Sequence, residues 1–119
     1  MRVGIDSAEI NRIDALLKKN EHFLERVFSD EEQEEFSKRN NKTEHIAAAF
    51  AAKEAFSKAI GTGVSGFNLN EVSLLHKSNG KPYLSFSGKA QKIAEETRLS
   101  FDISITHTET VATAIVIAF

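Results

Sequence analysis

This sequence contains no cysteine and no tryptophan, and it has only one proline among its 119 residues. The absence of cysteine excludes disulfide bonds and metal sites built on thiolates. No apolar run approaches the roughly 18 residues that a membrane-spanning helix needs. Because no basic segment followed by an apolar run opens the sequence, we expect no secretion signal and predict a cytoplasmic protein that does not bind membranes.

A large excess of one charge is also missing. The chain carries 15 lysines and arginines against 17 aspartates and glutamates, which gives a formal net charge of -2. This balance argues against a dedicated nucleic-acid-binding protein. Hydrophobic residues make up 41% of the chain and charged residues 27%, as in ordinary globular domains. Since no repeat, linker or low-complexity segment interrupts the sequence, residues 1–119 are predicted to form a single domain.

The segment from residue 46 to residue 63 is the most distinctive part of the sequence. Its seven alanines and four large apolar residues predict a helix over residues 46–60 that is largely buried. Gly61 suits the left-handed position that ends such a helix. At about 100° per residue, the polar residues in the second half of the helix fall within one arc, and they are Lys53, Glu54, Ser57 and Lys58.

Two interpretations of this polar arc compete. The first is an ion pair between Glu54 and Lys58 on a half-exposed face, worth about 0.2–0.5 kcal/mol. The second is a site for an anionic ligand and a hard metal, because a carboxylate binds Mg²⁺ through oxygen and flanking lysines neutralise phosphate. Gly63 and Gly66 favour the second interpretation, since a loop with few side chains lets its backbone approach a ligand.

Short apolar segments predict five β-strands, over residues 2–5, 71–76, 83–86, 101–107 and 111–119. Asn79-Gly80 favours a hairpin between the second and the third strand, and the continuous apolar run of the fifth is suited to a central strand. We predict an α+β domain with a small, mainly antiparallel sheet packed on the long alanine-rich helix. His107 ends the fourth strand, where the pattern alone favours a hydrogen-bonded structural role.

Three positions carry residues that commonly begin helices. Asp6-Ser7-Ala8-Glu9 and Ser29-Asp30-Glu31-Glu32 both have the spacing of a capping box, and Thr43 is a suitable cap for the alanine-rich helix. By pattern alone, capping is therefore the simplest role of Asp6. The acidic run after Ser29 is most simply a solvated helix surface.

Five motifs along the chain resemble those of the small bacterial holo-acyl-carrier-protein synthases, which are 4′-phosphopantetheinyl transferases. They are Gly4-Ile5-Asp6, the block FAAKEAFSKA at residues 50–59, Gly61-Thr62-Gly63, Gly80-Lys81-Pro82 and Ser104-Ile105-Thr106-His107-Thr108. The resemblance extends over essentially the whole chain, in the order of the family's motifs and at its size.

The resemblance implies a reaction in which phosphopantetheine moves from coenzyme A to a serine of apo acyl carrier protein, with release of adenosine 3′,5′-bisphosphate. Asp6 and Glu54 match the family's two carboxylates for Mg²⁺, and Lys58 matches the position that stabilises the pyrophosphate and the leaving phosphate. These three residues are the implied catalytic set. Whether a metal-bound water or one of the carboxylates accepts the serine proton stays open.

The resemblance also implies where coenzyme A and the carrier protein bind. Coenzyme A contacts are expected from Lys53, Lys58, Gly61, Thr62, Gly63, Lys81, Pro82 and His107. Arg12 and Arg26 match basic residues that dock the acidic carrier protein. Since family members of this short type form trimers with coenzyme A between subunits, a homotrimer is expected, and an exposed alanine face together with the strand 111–119 is compatible with it.

The chain departs from the family at one notable position. Many members have an arginine immediately before Phe50, where a guanidinium holds a coenzyme A phosphate, whereas this chain has Ala49. Lys53, Lys81 or another lysine is the expected substitute. The alternative function is a noncatalytic module that binds coenzyme A or carrier protein, and a metal-dependent pyrophosphate hydrolase is a third interpretation.

Overall fold

The computed structural model describes residues 1–119 and contains five strands and five α-helices. The strands are β1 (Arg2–Glu9), β2 (Val72–His76), β3 (Pro82–Phe86), β4 (Phe101–His107) and β5 (Val111–Ala118). The helices are α1 (Ile10–Lys19), α2 (Phe23–Val27), α3 (Asp30–Lys38), α4 (Thr43–Ile60) and α5 (Gly88–Thr97). None of these helices combines the length and the apolar character that crossing a membrane requires.

The strands form two antiparallel sheets rather than one. A three-stranded sheet has the order β1-β5-β4, and the hairpin of β2 and β3 forms a separate two-stranded sheet. The central position of β5 and the α+β class are therefore confirmed, whereas the prediction of a single sheet is wrong. The side chains of β5 alternate, so that its inward row is fully buried against α4 and consists of Ala112, Ala114, Val116 and Ala118.

Strand β1 lies directly on helix α4 because it has a glycine at the contact. A Cβ atom placed on Gly4 would lie 1.9 Å from the carbonyl oxygen of Ala55 and 2.6 Å from the backbone nitrogen of Ala59. No side chain fits between the two backbones. Since alternate residues of a strand share a face, Asp6 also points toward α4. This role of Gly4 was not predicted from the sequence.

The alanines of α4 are used inside the chain. All seven are buried, including Ala51 and Ala55, which have no exposed surface. The expectation of an exposed alanine face is therefore wrong, because the sheet covers that face. The apolar surface that is open to solvent lies on the opposite face of the three-stranded sheet, where Val3 and Ile5 are 60% and 56% exposed. Ile5 pairs there with Ile115 of β5.

Several helix ends differ from the predicted caps. Strand β1 continues to Glu9, so Asp6 lies within a strand and does not cap a helix. Helix α4 begins at Thr43 itself, whose hydroxyl donates to the Asp14 carboxylate instead of capping. The capping box of Ser29 with Glu32 is confirmed. Gly61 is also confirmed as the left-handed residue after α4, with a φ of 80°.

An ion pair that connects α3, α4 and β2 is completely buried. The Lys53 ammonium donates to Glu32 Oε1 at 2.5 Å and to the carbonyl oxygen of Val72, while Glu32 Oε2 accepts from the backbone nitrogen of Leu74. Neither side chain of the pair is exposed. Burial raises the pKa of Glu32 and lowers the pKa of Lys53. The attraction between the two charges shifts each pKa in the opposite direction, but burial has the larger effect. The prediction that the acidic run is wholly solvated is wrong at Glu32.

Replacing Gly4 by alanine is expected to lower the free energy of unfolding by at least about 3 kcal/mol, at the upper end of overpacking costs. The added methyl group would overlap backbone atoms of α4, which cannot move without displacing the core. Urea denaturation followed by circular dichroism measures the effect. Gly66→Ala is the matched control, because the nearest atom to its added methyl group is 3.5 Å away. Equal stability of the two variants would contradict the close contact of β1 with α4.

Replacing Lys53 by methionine is expected to cost about 3–5 kcal/mol of stability, because the Glu32 carboxylate would remain buried without its cation. Burial would then raise the pKa of Glu32 without opposition, so folding would favour its protonated form. The loss should therefore grow as the pH rises from about 5 to about 8, which urea denaturation at several pH values measures.

The double variant Lys53→Met with Glu32→Gln provides the control for this prediction. It contains no buried charge, so it should recover part of the lost stability and its remaining deficit should not depend on pH. A double variant that is no more stable than Lys53→Met at neutral pH would show that the packing of Lys53, and not its charge, supports the fold.

Candidate functional site

Two carboxylates and a lysine come together where β1 crosses α4. Asp6 extends from β1, and Glu54 and Lys58 extend from α4 one helical turn apart. The Lys58 ammonium donates to Asp6 Oδ1 at 3.0 Å and to the carbonyl oxygen of Ile5 at 3.1 Å. Lys58 thus binds Asp6 and does not form the predicted ion pair with Glu54. The first interpretation of the polar arc is therefore wrong in its choice of partner.

The charges of this group influence one another. Burial raises the pKa of Glu54, the negative charge of Asp6 raises it further, and Lys58 acts in the opposite direction. Of the cations near these two mutually repelling carboxylates, Lys58 is the one bound to Asp6, and it also lowers the pKa of Glu54. Such an arrangement favours the binding of an additional cation, because it would relieve the repulsion and the cost of burial together.

The two carboxylates line a cleft of about 220 Å³, which we call the carboxylate cleft. Its walls come from β1, α1 and α4 and include Asp6, Glu9, Arg12, Phe50 and Glu54. Nowhere in the chain do three histidine, aspartate or glutamate side chains gather closely enough to hold a metal by themselves. Two carboxylates suit Mg²⁺, which usually binds through one or two carboxylates and completes its shell with water and phosphate oxygens.

A second cleft of about 260 Å³ lies on another part of the surface, and we call it the histidine cleft. Three of the four histidines in the chain line it, together with an arginine and the hairpin turn between β2 and β3. The basic residues are Arg39, His45, His76 and His107. They come from four elements, namely the end of α3, the start of α4, and the last residues of β2 and β4.

Two carboxylates also line the histidine cleft, and each contacts a histidine. Glu35 Oε1 lies 3.3 Å from His76 Nδ1, and Glu44 Oε2 lies 3.8 Å from His107 Nδ1. Burial lowers the pKa of His45, and the positive charge of Arg39 lowers it further. The His107 ring lies near Glu44 and the carbonyl oxygen of Thr108. Its side chain is nearly half exposed to solvent.

The structure divides the predicted site residues between the two clefts. Asp6, Glu54 and Arg12 line the carboxylate cleft, with Lys58 bound to Asp6 at its edge, whereas Pro82 and His107 line the histidine cleft. The remaining predicted contact residues line neither cleft. The exposed ones among them are Arg26 on α2, Gly61, Thr62 and Gly63 after α4, and Lys81 in the hairpin turn.

The prediction that Lys53 contacts coenzyme A is wrong. Its ammonium group has no exposed surface and binds Glu32 and the carbonyl oxygen of Val72. Helical spacing placed Lys53 beside Glu54 in the polar arc, but the boundary between buried and exposed residues passes between them. Arg39, His45 and His76 are the residues that the sequence analysis did not assign. The only sequence signal was the position of His76 and His107, each at the end of a predicted strand.

The two clefts lie on nearly opposite sides of α4. Phe50 and Glu54 of this helix line the carboxylate cleft, whereas Glu44, His45 and Ala48 line the histidine cleft. At about 100° per residue, the two sets are centred about 150° apart around the helix axis. No single cleft of one copy of the chain therefore contains both the carboxylates and the histidines.

Comparisons with known proteins identify the family of this chain. A family model described as the 4′-phosphopantetheinyl transferase superfamily matches residues 2–116. A holo-acyl-carrier-protein synthase of Caldanaerobacter subterraneus subsp. tengcongensis is 41% identical over 117 residues, which cover 98% of this chain and 92% of that protein.

Solved structures of the same kind superpose closely. The holo-acyl-carrier-protein synthase of Neisseria meningitidis has a TM-score of 0.89 at 30% identity, over 99% of this chain and 97% of that one. The enzyme of Helicobacter pylori in complex with coenzyme A has a TM-score of 0.87 at 28% identity, over 98% and 99% of the two chains. From the family match over residues 2–116, the 41% identity and the shared fold, we conclude that the chain belongs to the 4′-phosphopantetheinyl transferase superfamily.

Proposed function

We propose that this chain transfers the 4′-phosphopantetheine group of coenzyme A to a serine of apo acyl carrier protein, with Mg²⁺ bound by Asp6 and Glu54. The proposal rests on one observation above all, the convergence of two carboxylates and Lys58 at the crossing of β1 and α4. The carbonyl oxygen of Ile5, which is also bound to Lys58, fixes the direction of the ammonium group.

Phosphoryl transfer depends mainly on positioning and on neutralising negative charge. Bound Mg²⁺ supplies positive charge to the pyrophosphate oxygens. Asp6 and Glu54 would hold it, since both line the same cleft and the burial of Glu54 is costly without a cation. Lys58 is more than half exposed, so its ammonium can turn from Asp6 to donate to the leaving phosphate.

The carrier protein must bring its serine to the carboxylate cleft. Arg12 lines this cleft from α1, and its side chain is exposed and bound to no carboxylate. Arg26 is exposed on α2, the next helix along the chain. Two free guanidinium groups on neighbouring helices suit an acidic partner, because charge complementarity speeds encounter and sets orientation.

The positions of the two clefts support a site shared between subunits of a homotrimer. The expected metal ligands Asp6 and Glu54 line the carboxylate cleft, whereas Pro82 and His107, which are expected to contact coenzyme A, line the histidine cleft on the opposite side of α4. A second copy could place its histidine cleft beside the carboxylate cleft of the first. The exposed apolar face of the β1-β5-β4 sheet, with Val3, Ile5 and Ile115, offers a surface for such association.

Asp6→Asn and Glu54→Gln are each expected to lower kcat for transfer by about a hundredfold or more, because each removes one carboxylate from the metal site. The mass of apo acyl carrier protein after incubation with the enzyme, coenzyme A and Mg²⁺ measures the transfer. Removal of divalent metal with a chelator should abolish the mass gain in the unmodified protein, and added Mg²⁺ should restore it.

Glu96→Gln on α5 is the matched control, because it removes the same charge from an exposed position outside both clefts. It should transfer at the rate of the unmodified protein. If no carrier protein gains mass while coenzyme A still binds in calorimetry, the noncatalytic binding module becomes the better interpretation. Release of adenosine 3′,5′-bisphosphate without any carrier protein would indicate a hydrolase instead.

Arg12→Gln and Arg26→Gln are expected to raise KM for the carrier protein several-fold at low salt while leaving kcat nearly unchanged. The reason is that exposed arginines act mainly by attracting the acidic partner, and salt screens this attraction. Steady-state kinetics at low and high ionic strength measures both effects. Lys92→Gln on α5 removes an exposed charge elsewhere and should have no effect. A carrier affinity that does not change with salt in the unmodified protein would exclude docking by these arginines.

A further inference from the structure

The Lys58 ammonium is bonded to one of the two carboxylates of the carboxylate cleft. It donates to Asp6 Oδ1 at 3.0 Å and to the carbonyl oxygen of Ile5 at 3.1 Å. Both acceptors belong to adjacent residues of β1, and the Asp6 side chain is only 20% exposed. A cation that binds Asp6 must therefore share this carboxylate with an ammonium group of the same chain.

The charge of Lys58 also acts on the second carboxylate. Burial and the charge of Asp6 raise the pKa of Glu54, and Lys58 lowers it. A cation bound to Asp6 and Glu54 would be repelled by the nearby ammonium. Because the repulsion between two charges is proportional to their product, a divalent ion is repelled about twice as strongly as a monovalent one. In this position Lys58 opposes the ion that the two carboxylates attract.

Lys58 can leave Asp6 when a stronger partner is present. Its side chain is 54% exposed, so a ligand can reach the ammonium from solvent. A lysine has three N–H donors on a flexible four-carbon stem, which lets the group reorient. The pyrophosphate of coenzyme A offers several anionic oxygens to such a donor, and bonds between ionised groups are the stronger hydrogen bonds. It therefore competes with Asp6 for the ammonium.

We propose that Lys58 controls metal binding at this site. Its bond to Asp6 weakens the affinity of the two carboxylates for a divalent cation, and its transfer to the pyrophosphate of coenzyme A restores that affinity. This inference rests on the proposed function. Since coupling between two ligands is reciprocal, the metal in turn strengthens the binding of coenzyme A. The chain then holds a metal mainly while its donor substrate is bound.

The other cation of the carboxylate cleft is less suited to this role. Arg12 lines the cleft, but its side chain is exposed and bound to no carboxylate. Solvent and salt screen an exposed charge, so it affects a cation at Asp6 less than a directly bonded ammonium does.

The test measures the dissociation constant for Mn²⁺ from its electron paramagnetic resonance signal, without coenzyme A and at about pH 8, where carboxylates are ionised. Mn²⁺ is the probe because it binds the same oxygen ligands as Mg²⁺. We expect Lys58→Met to bind Mn²⁺ about fivefold more tightly than the unmodified protein, since it removes a positive charge bonded to Asp6. Lys58→Arg keeps the charge and should bind Mn²⁺ no more tightly than the unmodified protein.

Two further variants connect the result to the site. Asp6→Asn should weaken Mn²⁺ binding both with Lys58 and with Lys58→Met, which assigns the signal to the carboxylate cleft. Lys18→Met is the matched control, because Lys18 forms an exposed pair with Asp14 at 2.9 Å outside both clefts. It should leave the Mn²⁺ affinity unchanged. The inference is overturned if Lys58→Met binds Mn²⁺ no more tightly than the unmodified protein, or if Lys18→Met tightens binding equally.

Coenzyme A tests the second half of the inference. At a concentration that calorimetry shows to be saturating for each protein, it should tighten Mn²⁺ binding by a larger factor in the unmodified protein than in Lys58→Met. The reason is that only the unmodified protein has an ammonium to move away from Asp6. A titration of coenzyme A with Mn²⁺ alone corrects for ions bound in free solution. An equal factor in the two proteins overturns the transfer of Lys58 to the pyrophosphate.

The transfer assay separates failure of this inference from failure of the proposed function. If the unmodified protein transfers phosphopantetheine but Lys58→Met binds Mn²⁺ no more tightly, this inference alone fails. If no carrier protein gains mass while Lys58→Met binds Mn²⁺ more tightly, the proposed function fails and the control of metal binding by Lys58 stands.

Discussion

The direct backbone contact between β1 and α4 at Gly4 is the constraint on which the rest of the structure depends. Because no Cβ atom fits there, the strand and the helix lie closer than side chains would allow. The alanines of α4 and of β5 continue the same close packing across the sheet. Asp6 lies two residues after Gly4 on the same face of the strand, so this contact brings its carboxylate to Lys58 and Glu54.

The close contact explains why a well-packed helix also carries charged groups that are costly to bury. Glu54 is held where burial and the charge of Asp6 both raise its pKa. One lysine offsets only part of this negative charge, and the fold has no third ligand to complete a cation site. Such a cost at a functional site is offset by stabilisation elsewhere. Here the apolar core around α4 supplies this stabilisation. The Lys53–Glu32 pair determines how α3 and β2 pack on that core.

The sequence predicted the elements that have long, regular patterns. Helix α4, the strands β4 and β5 and the hairpin were found because alanine content, alternation and Asn79-Gly80 are local signals. The burial of Lys53 could not be predicted, since its partner Glu32 is 21 residues away in a run that looks solvated. The histidine cleft escaped prediction for the same reason. Its basic residues come from four separate elements, and only the fold brings them together.

The positions of the two clefts also connect the size of the chain with its proposed assembly. Each cleft has a volume of about 220 to 260 Å³, below the range usual for sites that enclose a large cofactor. A chain of 119 residues forms one modest core, and here α4 fills it, so the polar groups of α4 emerge on two opposite sides. Combining the two clefts across an interface between copies would create a longer site without enlarging the core. On this argument, association of several copies would account both for the exposed apolar face of the sheet and for the division of the site between two clefts.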